Sequence, residues 1–307
     1  VTRYLLLGAN GFVGSQVRTA IERSGDSSFL MAVSGHPPRV TVPFTCHWRR
    51  MDLVRSSVRD YGALLDSSKP DAIINCAGST SGSPQLLEAV NATVVAKLVK
   101  ALSMTDPVPL IHMGSAAEYG QQPEGIAVSE TATPRPVGDY GRTKLSATEL
   151  IVDMVERRAI RGTVLRVFNP VGPRAPANSL AGTAVREIRR ALVTRRTFIT
   201  LGSLNTYRDF LATSDVAAAA LRVIHTPDAP PVLNVGRGVA MSARSMVELL
   251  AAVAGFEGDV FESDGGSRRS AAVPWQKADI ALLRACLRWT PTTPIAEAVS
   301  DLWQSGS

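Results

Sequence analysis

The chain is 307 residues long, 45% hydrophobic and 20% charged, with a formal net charge of +6 at pH 7. That length supplies core for one large domain or two small ones. With no charged-then-apolar leader and no apolar run of membrane-spanning length, a soluble, cytoplasmic protein with no membrane partner is expected. The positive charge is dispersed rather than gathered into a basic block with interleaved aromatics, which argues against nucleic acid and suits an anionic small molecule. Cys46, Cys76 and Cys286 are too scattered for a disulfide framework, and His36, His47, His112 and His225 lack metal-ligand spacing, so no metal is expected.

Tyr4–Leu7 is a short apolar run that leads directly into Gly8-Ala-Asn10-Gly11-Phe12-Val13-Gly14, after which helical periodicity continues to Ile21. A strand, a glycine turn and a helix in that order form the context of a dinucleotide loop. Gly8 and Gly11 let backbone N–H groups approach a pyrophosphate at a helix N-terminus, and Gly14 permits close packing of helix on strand. Asn10, Phe12 and Val13 complete the candidate cofactor loop.

The next predicted strand, Phe29–Val33, ends in Ser34-Gly35-His36-Pro-Pro-Arg39, without the carboxylate that binds the ribose hydroxyls of NAD. Ser34, His36 and Arg39 suit a 2′-phosphate instead, so NADP(H) is expected over NAD(H). The alternative is that these are plain loop residues and that Arg49 or Arg50 serves the pocket. Met51-Asp52-Leu53 closes a further strand, with Asp52 a candidate for the adenine amino group and Leu53 beside it. Asp71–Asn75 ends in Cys76-Ala77-Gly78, small residues that let a cofactor cross the strand ends, or that simply pack closely. A long helix is predicted from about Pro84 to Met104, with Leu86, Leu87, Val90, Val94, Val95, Leu98 and Leu102 as its apolar stripe. Val108–Met113 is the strand that delivers Ser115. This alternation predicts an α/β fold with a doubly wound parallel sheet.

Asp139-Tyr140-Gly-Arg-Thr-Lys144 opens the next helix, which runs to about Arg158 and puts Tyr140 and Lys144 on one face. A tyrosine hydroxyl has a reference pKa of about 10, and a fixed ammonium nearby favours the phenolate. Tyr140 is therefore a candidate general acid/base, with Ser115 steadying the same substrate oxygen. Thr163–Val167 reads as a strand running into the turn-rich Phe168–Arg174. A helix over 181–195 should turn Val185, Ile188 and Leu192 inward and leave Arg186, Arg189 and Arg190 solvated. Tyr207–Leu211, an alanine-rich helix from Ser214, the strand Val232–Val235 and helices near 245–254 and 295–303 follow. Between those last two helices lie Arg268 and Arg269.

Taken together, these stretches resemble the extended short-chain dehydrogenase/reductases, a group of nucleotide-sugar epimerases, dehydratases and reductases. The resemblance covers nearly the whole chain. It rests on Gly8-x-x-Gly11-x-x-Gly14, Ser115 with Tyr119-Gly120, Tyr140-x-x-x-Lys144, Arg166-x-x-Asn169 with Gly172-Pro173, Arg208-Asp209-Phe210 and Leu233-Asn-Val-Gly236. It implies a Rossmann-type domain over 1–168, to which 209–236 returns, and a smaller, mainly substrate-binding domain over 169–307. It also implies that Tyr140 is the acid/base and that Lys144 binds the nicotinamide ribose. Asn169 and Arg208 would lie by the diphosphate of a nucleotide sugar, with Arg268 a further candidate and Ser115 near the sugar, and homodimers would form through the helices near 84–104 and 140–158. Glu118, a candidate substrate residue near the end of an active-site strand, points either at the substrate or into solvent. Where the family's 4,6-dehydratases carry Thr-Asp-Glu, this chain has Ser115-Ala116-Ala117, so dehydration is not expected. The closest likeness is to reductases of GDP- or dTDP-4-keto-6-deoxyhexoses, which makes an NADPH-dependent ketoreductase the leading expectation. An NAD-dependent epimerase, a ketoreductase of a non-sugar natural product and a non-catalytic cofactor sensor stand behind it.

Overall fold

The computed structural model describes residues 2–24, 29–35, 46–263 and 273–306. Six strands fall within the first 167 residues: β1 (Arg3–Leu7), β2 (Phe29–Ser34), β3 (Cys46–Arg50), β4 (Ala72–Asn75), β5 (Pro109–Ser115) and β6 (Arg161–Val167). The short strands β7 (Asn169–Val171), β8 (Phe198–Leu201), β9 (Tyr207–Arg208) and β10 (Phe210–Ala212) then leave the main sheet, and β11 (Val232–Val235) returns to its edge. The seven-stranded sheet has the order β11-β6-β5-β4-β1-β2-β3, with every pair parallel. The order reverses between β1 and β4, which is where an open parallel sheet leaves a crevice beyond its strand ends.

Because both faces of the sheet are covered at its middle, the central strands β1 and β4 are runs of buried apolar residues rather than alternating ones. Within β1, Leu6 packs with Ile74, Ile111 and Leu165 against Val17, Ile21 and Val216 on one face. Leu5 and Leu7 pack with Ile73, Leu110 and Val164 against Leu64, Leu98 and Ile151 on the other. The first face is covered by α1 (Phe12–Arg23) together with α7 (Thr213–Ile224), whose Ala217, Ala219 and Ala220 are buried. The second is covered by α2 (Val58–Ser68), by the helical stretch 84–102 and by α5 (Asp139–Glu156). Ser57 and Asp60 start α2 with a capping box, and Lys69 ends it in the left-handed region.

A separate core gathers Val185 and Ile188 of α6 (Leu180–Thr194), Met246 and Leu250 of α8 (Ala243–Ala254), Leu302 and the strands β7, β8 and β10. Phe12, from the glycine loop, packs against it.

Three sequence expectations need correction. The helix predicted over 84–104 is α3 (Pro84–Glu88), a π turn over Ala89–Thr93 and α4 (Val94–Leu102). The wide turn shifts the helix phase, so that Leu87, Val94, Val95 and Leu98 face inward while Leu86 is 46% exposed. Leu192, expected inside, lies near the end of α6 and is 41% exposed. Of the arginines expected to be solvated, Arg186 and Arg190 are exposed, whereas Arg189 is half-buried over the Trp303 ring.

The start of α1 leaves almost no space. A Cβ on Gly14 would fall 2.1 Å from the Gly8 carbonyl oxygen. Gly14→Ala must therefore displace the loop, and it should lower stability by about 1–3 kcal/mol as read by urea unfolding. Dinucleotide affinity should fall with it.

Candidate active site

The glycine loop forms the floor of the crevice. Gly8 adopts φ +74°, and a Cβ there would meet the Ala77 backbone nitrogen at 2.6 Å, so the loop and the end of β4 touch backbone to backbone. At the start of α1, Gly11 provides no side-chain cap and the first turn holds no acidic residue. Its orphan N–H groups and the positive end of the helix dipole make an anion seat. These residues fit a dinucleotide pyrophosphate. Asn10 sits on the rim, where its Oδ1 accepts from Arg174 Nη2 at 3.3 Å, and Val13 packs into the main core.

The adenosine is expected near the ends of β2 and β3. Ser34 is half-buried at the end of β2, in register with Arg50, and Arg50 Nε donates to the Gly35 carbonyl at 3.2 Å. Arg49 instead donates to Ser67 Oγ on α2. Asp52 Oδ1 accepts from the N–H groups of Val54 and Arg55, both at 3.1 Å, and so caps its own turn. The Leu53 carbonyl accepts from the Tyr61 hydroxyl at 2.8 Å. His36, Arg39, Arg268 and Arg269 lie outside the described residues.

The candidate catalytic residues gather near the end of β5. Ser115 caps the short turn Ala116–Glu118, its Oγ accepting from Ala117 N–H at 3.2 Å. The start of α5 packs tightly on this turn, since a Cβ on Gly141 would fall 2.5 Å from the Ala117 carbonyl oxygen. That contact brings the first turn of α5, with Tyr140 half-buried in it, to the Ser115 strand end. One turn later Lys144 is buried. Its Nζ donates to the Met113 carbonyl, lies 3.4 Å from His112 Nε2, and stands 4.0 Å from where a Cβ on Gly78 would be. Burial pushes the Lys144 ammonium down to about 8, against the opposing pull of the Glu118 carboxylate. Burial, with the Lys144 charge added to it, holds His112 well below the usual imidazole range.

Glu118, expected to face the substrate or solvent, is instead wholly buried and fully engaged. Oε1 accepts from Ser115 N–H and Oε2 from Arg166 Nε, both at 2.8 Å, in a buried ion pair. A carboxylate in an apolar core requires such partners, and here it finds them within the protein.

The other candidate substrate residues meet around Asp209. The Asn169 N–H donates to the Asp209 carbonyl at 3.0 Å, and its Nδ2 reaches the same oxygen at 3.4 Å. Arg208, the residue before, is half-buried on β9, with Nη1 donating to the Tyr207 carbonyl at 2.8 Å. The Asp209 carboxylate accepts from the N–H groups of Arg237, Gly238 and Ala278. Among the described residues no group of acidic, cysteine or histidine side chains can hold a metal, and no helix is long and apolar enough to cross a membrane.

Sequence reasoning missed three residues. Asn91, buried in the π turn, accepts from Ser79 N–H at 2.9 Å and donates to Thr143 Oγ1 at 3.1 Å, tying the Gly78 loop to α5. A polar residue at a core position of an apolar stripe was the available signal. Nothing in the spacing pointed to Arg174 or to His112.

Dinucleotide chemistry with a tyrosine beside a buried lysine is the mark of NAD(P)-dependent enzymes of the extended short-chain dehydrogenase/reductase type, and this chain is one of them. Residues 4–236 match the model of the NAD dependent epimerase/dehydratase family, and the chain belongs to it. It is 32% identical to a dTDP-6-deoxy-L-talose 4-dehydrogenase (NAD(P)(+)) of Kitasatospora kifunensis over 99% of this chain and 96% of that one. It is 27% identical to a GDP-6-deoxy-D-mannose reductase of Pseudomonas aeruginosa over 99% of this chain and 97% of that one. The structure of RMD from Pseudomonas aeruginosa complexed with NADPH superposes with a TM-score of 0.84 at 25% identity, covering 99% of this chain and 98% of that one.

Because Glu118 has two donors to satisfy, an amide in its place leaves one of them without an oxygen. Glu118→Gln should cost about 3–5 kcal/mol in urea unfolding. Removing both charges, as Glu118→Gln with Arg166→Met, should recover part of that loss.

Proposed function

We propose that this protein is an NADPH-dependent ketoreductase acting on the 4-keto group of a nucleotide-linked deoxysugar. The observation that carries this reading is the convergence at the end of β5. Ser115, Tyr140 and Lys144 gather beside the dinucleotide crevice, while two alanines follow Ser115 and the next carboxylate, Glu118, is committed to Arg166. No acid and base for eliminating water stand there. The relatives support the substrate class, since both act, by name, on 6-deoxyhexoses joined to a nucleotide, one as a 4-dehydrogenase and one as a reductase. Oxidation at C4 and reduction at C4 are the same reaction read in opposite directions.

When bound, the dinucleotide supplies the hydride. The chain holds, orients and protonates. Tyr140 gives its proton to the carbonyl oxygen, and Ser115, whose Oγ already accepts from Ala117, offers its hydroxyl proton to the same oxygen. Lys144 supplies a cation that favours the tyrosinate left behind. Asn169 and Arg208, with Arg268, serve the nucleotide diphosphate. For the cofactor, Ser34 at the end of β2 has Arg50 beside it, and the sequence that follows carries Arg39 rather than a carboxylate, which supports NADPH over NADH. A homodimer through α3, α4 and α5 completes the reading, and the exposed Leu86 on α3 suits such a face.

Turnover of dTDP- and GDP-4-keto-6-deoxyhexoses with NADPH tests this reading. Tyr140→Phe should lower kcat by about 10²–10⁴-fold and leave NADPH affinity nearly unchanged, as titrated by nicotinamide fluorescence. Arg39→Ala should weaken NADPH more than NADH in the same titration. NAD retained through purification and released only on denaturation would count for an epimerase instead.

A further inference from the structure

Below the site lies a buried histidine to which the proposed reaction assigns no task. His112 stands on β5, three residues before Ser115, with no exposed surface. Its two ring nitrogens face two different partners. Nδ1 is 3.1 Å from Asn75 Nδ2, and Nε2 is 3.4 Å from Lys144 Nζ. The orientation of the Asn75 amide is settled by its other end, because Asn75 Oδ1 accepts from Ala77 N–H at 3.1 Å. The Asn75 group facing the ring is therefore the NH₂, a donor only. His112 Nδ1 must be the acceptor, and a neutral ring then carries its proton on Nε2. A second proton on Nδ1 would confront the Asn75 NH₂, so the imidazolium is disfavoured from that side as well as by the Lys144 charge.

The consequence falls on Lys144. An ammonium has three donors and no acceptor, and it meets an N–H at Nε2 rather than a lone pair. We propose that His112 is a positioning residue for Lys144: locked by Asn75 as the Nε2-protonated tautomer, it denies the ammonium an acceptor on the β5 side. This leaves the Met113 carbonyl as the lysine's protein anchor and turns its remaining N–H bonds toward the crevice beside Gly78. The inference rests on the reading that Lys144 serves Tyr140 and the cofactor.

The other groups around Lys144 do not replace His112 in this task. Cys76, at the end of β4, has its thiol pushed up to about 12 by burial and stays neutral. Glu118, in the turn after β5, attracts the ammonium from a distance, with its oxygens held by Ser115 and Arg166. Tyr140 precedes Lys144 by one turn on the same helix. Among these groups, His112 is the one that sets a donor against the lysine at close range. Burial by itself holds the Lys144 ammonium down to about 8, and a donor set against it at His112 Nε2 acts in the same direction.

Two variants separate the parts of the device. His112→Asn keeps an oxygen for Asn75 and presents nothing to Lys144. His112→Gln offers the lysine an oxygen acceptor. Competitive labelling of the whole protein with acetic anhydride, read by mass spectrometry of the Lys144 peptide across pH, gives the titration midpoint of Lys144. It should move up by about one pH unit in His112→Gln and by less in His112→Asn. The high-pH limb of kcat should move with it. A merely structural role would lower stability or kcat and leave the midpoint in place, so an unmoved midpoint in both folded variants overturns the proposal. The unmodified protein supplies an independent check. ¹⁵N NMR of the His112 ring should give the Nε2–H pattern, unchanged down to pH 5, and an Nδ1–H pattern would overturn the tautomer on which the proposal stands. Neither measurement needs the sugar. Failure of every 4-keto sugar nucleotide would defeat the ketoreductase reading, whereas the labelling and NMR results decide the role of His112.

Discussion

The ion pair between Glu118 and Arg166 is the constraint on which the active-site end of the sheet depends. Its carboxylate fixes the Ser115 backbone with one oxygen and binds Arg166 with the other. The Arg166 guanidinium lies over the Tyr119 ring, 4.5 Å from its centroid, and the Tyr119 hydroxyl donates to Asn234 Oδ1 at 2.7 Å. Residues on β5, β6 and β11 are thereby tied crosswise beyond what the strand ladder supplies. A buried pair of this kind adds little net stability relative to an apolar replacement. What it does supply is direction: hydrophobic packing is indifferent to a rotation of the Ala116–Glu118 turn, and the hydrogen bonds to Glu118 are not.

Asp209 plays the corresponding part beside Asn169 and Arg208. Burial raises its carboxyl above the usual range, and three backbone N–H groups oppose that shift. Those three donors come from Arg237, Gly238 and Ala278, so one side chain gathers β9, β10 and two later loops. Arg208 and Asn169 are placed by their attachment to it. At both places a buried acidic residue is a fastener for the residues beside it.

That pattern also explains how far the sequence could be read. The glycine loop, the strand alternation and the Tyr140–Lys144 spacing were legible because each rests on local periodicity or on local backbone geometry. The role of Glu118 was not. Its partner, Arg166, is 48 residues away on the neighbouring strand, and no spacing rule reports which of two acidic fates a strand-end glutamate meets. Asn91 and the break in its helix were hidden for another reason. An apolar stripe of roughly helical period predicts one continuous helix, and the π turn that brings Asn91 to Ser79 and Thr143 reveals itself only in where Leu86 and Leu87 end up. His112 was visible as a histidine but meaningless without Asn75 and Lys144 around it.

Phe12 stands at the boundary of the two cores. It is the first residue of the helix that follows the glycine loop, yet its ring packs against the core built mostly from residues beyond Val171. Arg174 adds a polar tie to Asn10 in the same loop. The phosphate loop thus serves as a masonry joint between two cores. Any ligand that binds the native loop stabilises the native state by mass action, and here that gain is shared by both cores because neither can come apart without disturbing the joint. Heat should then melt the chain in one cooperative step, with the whole transition carried upward together when the dinucleotide is in place.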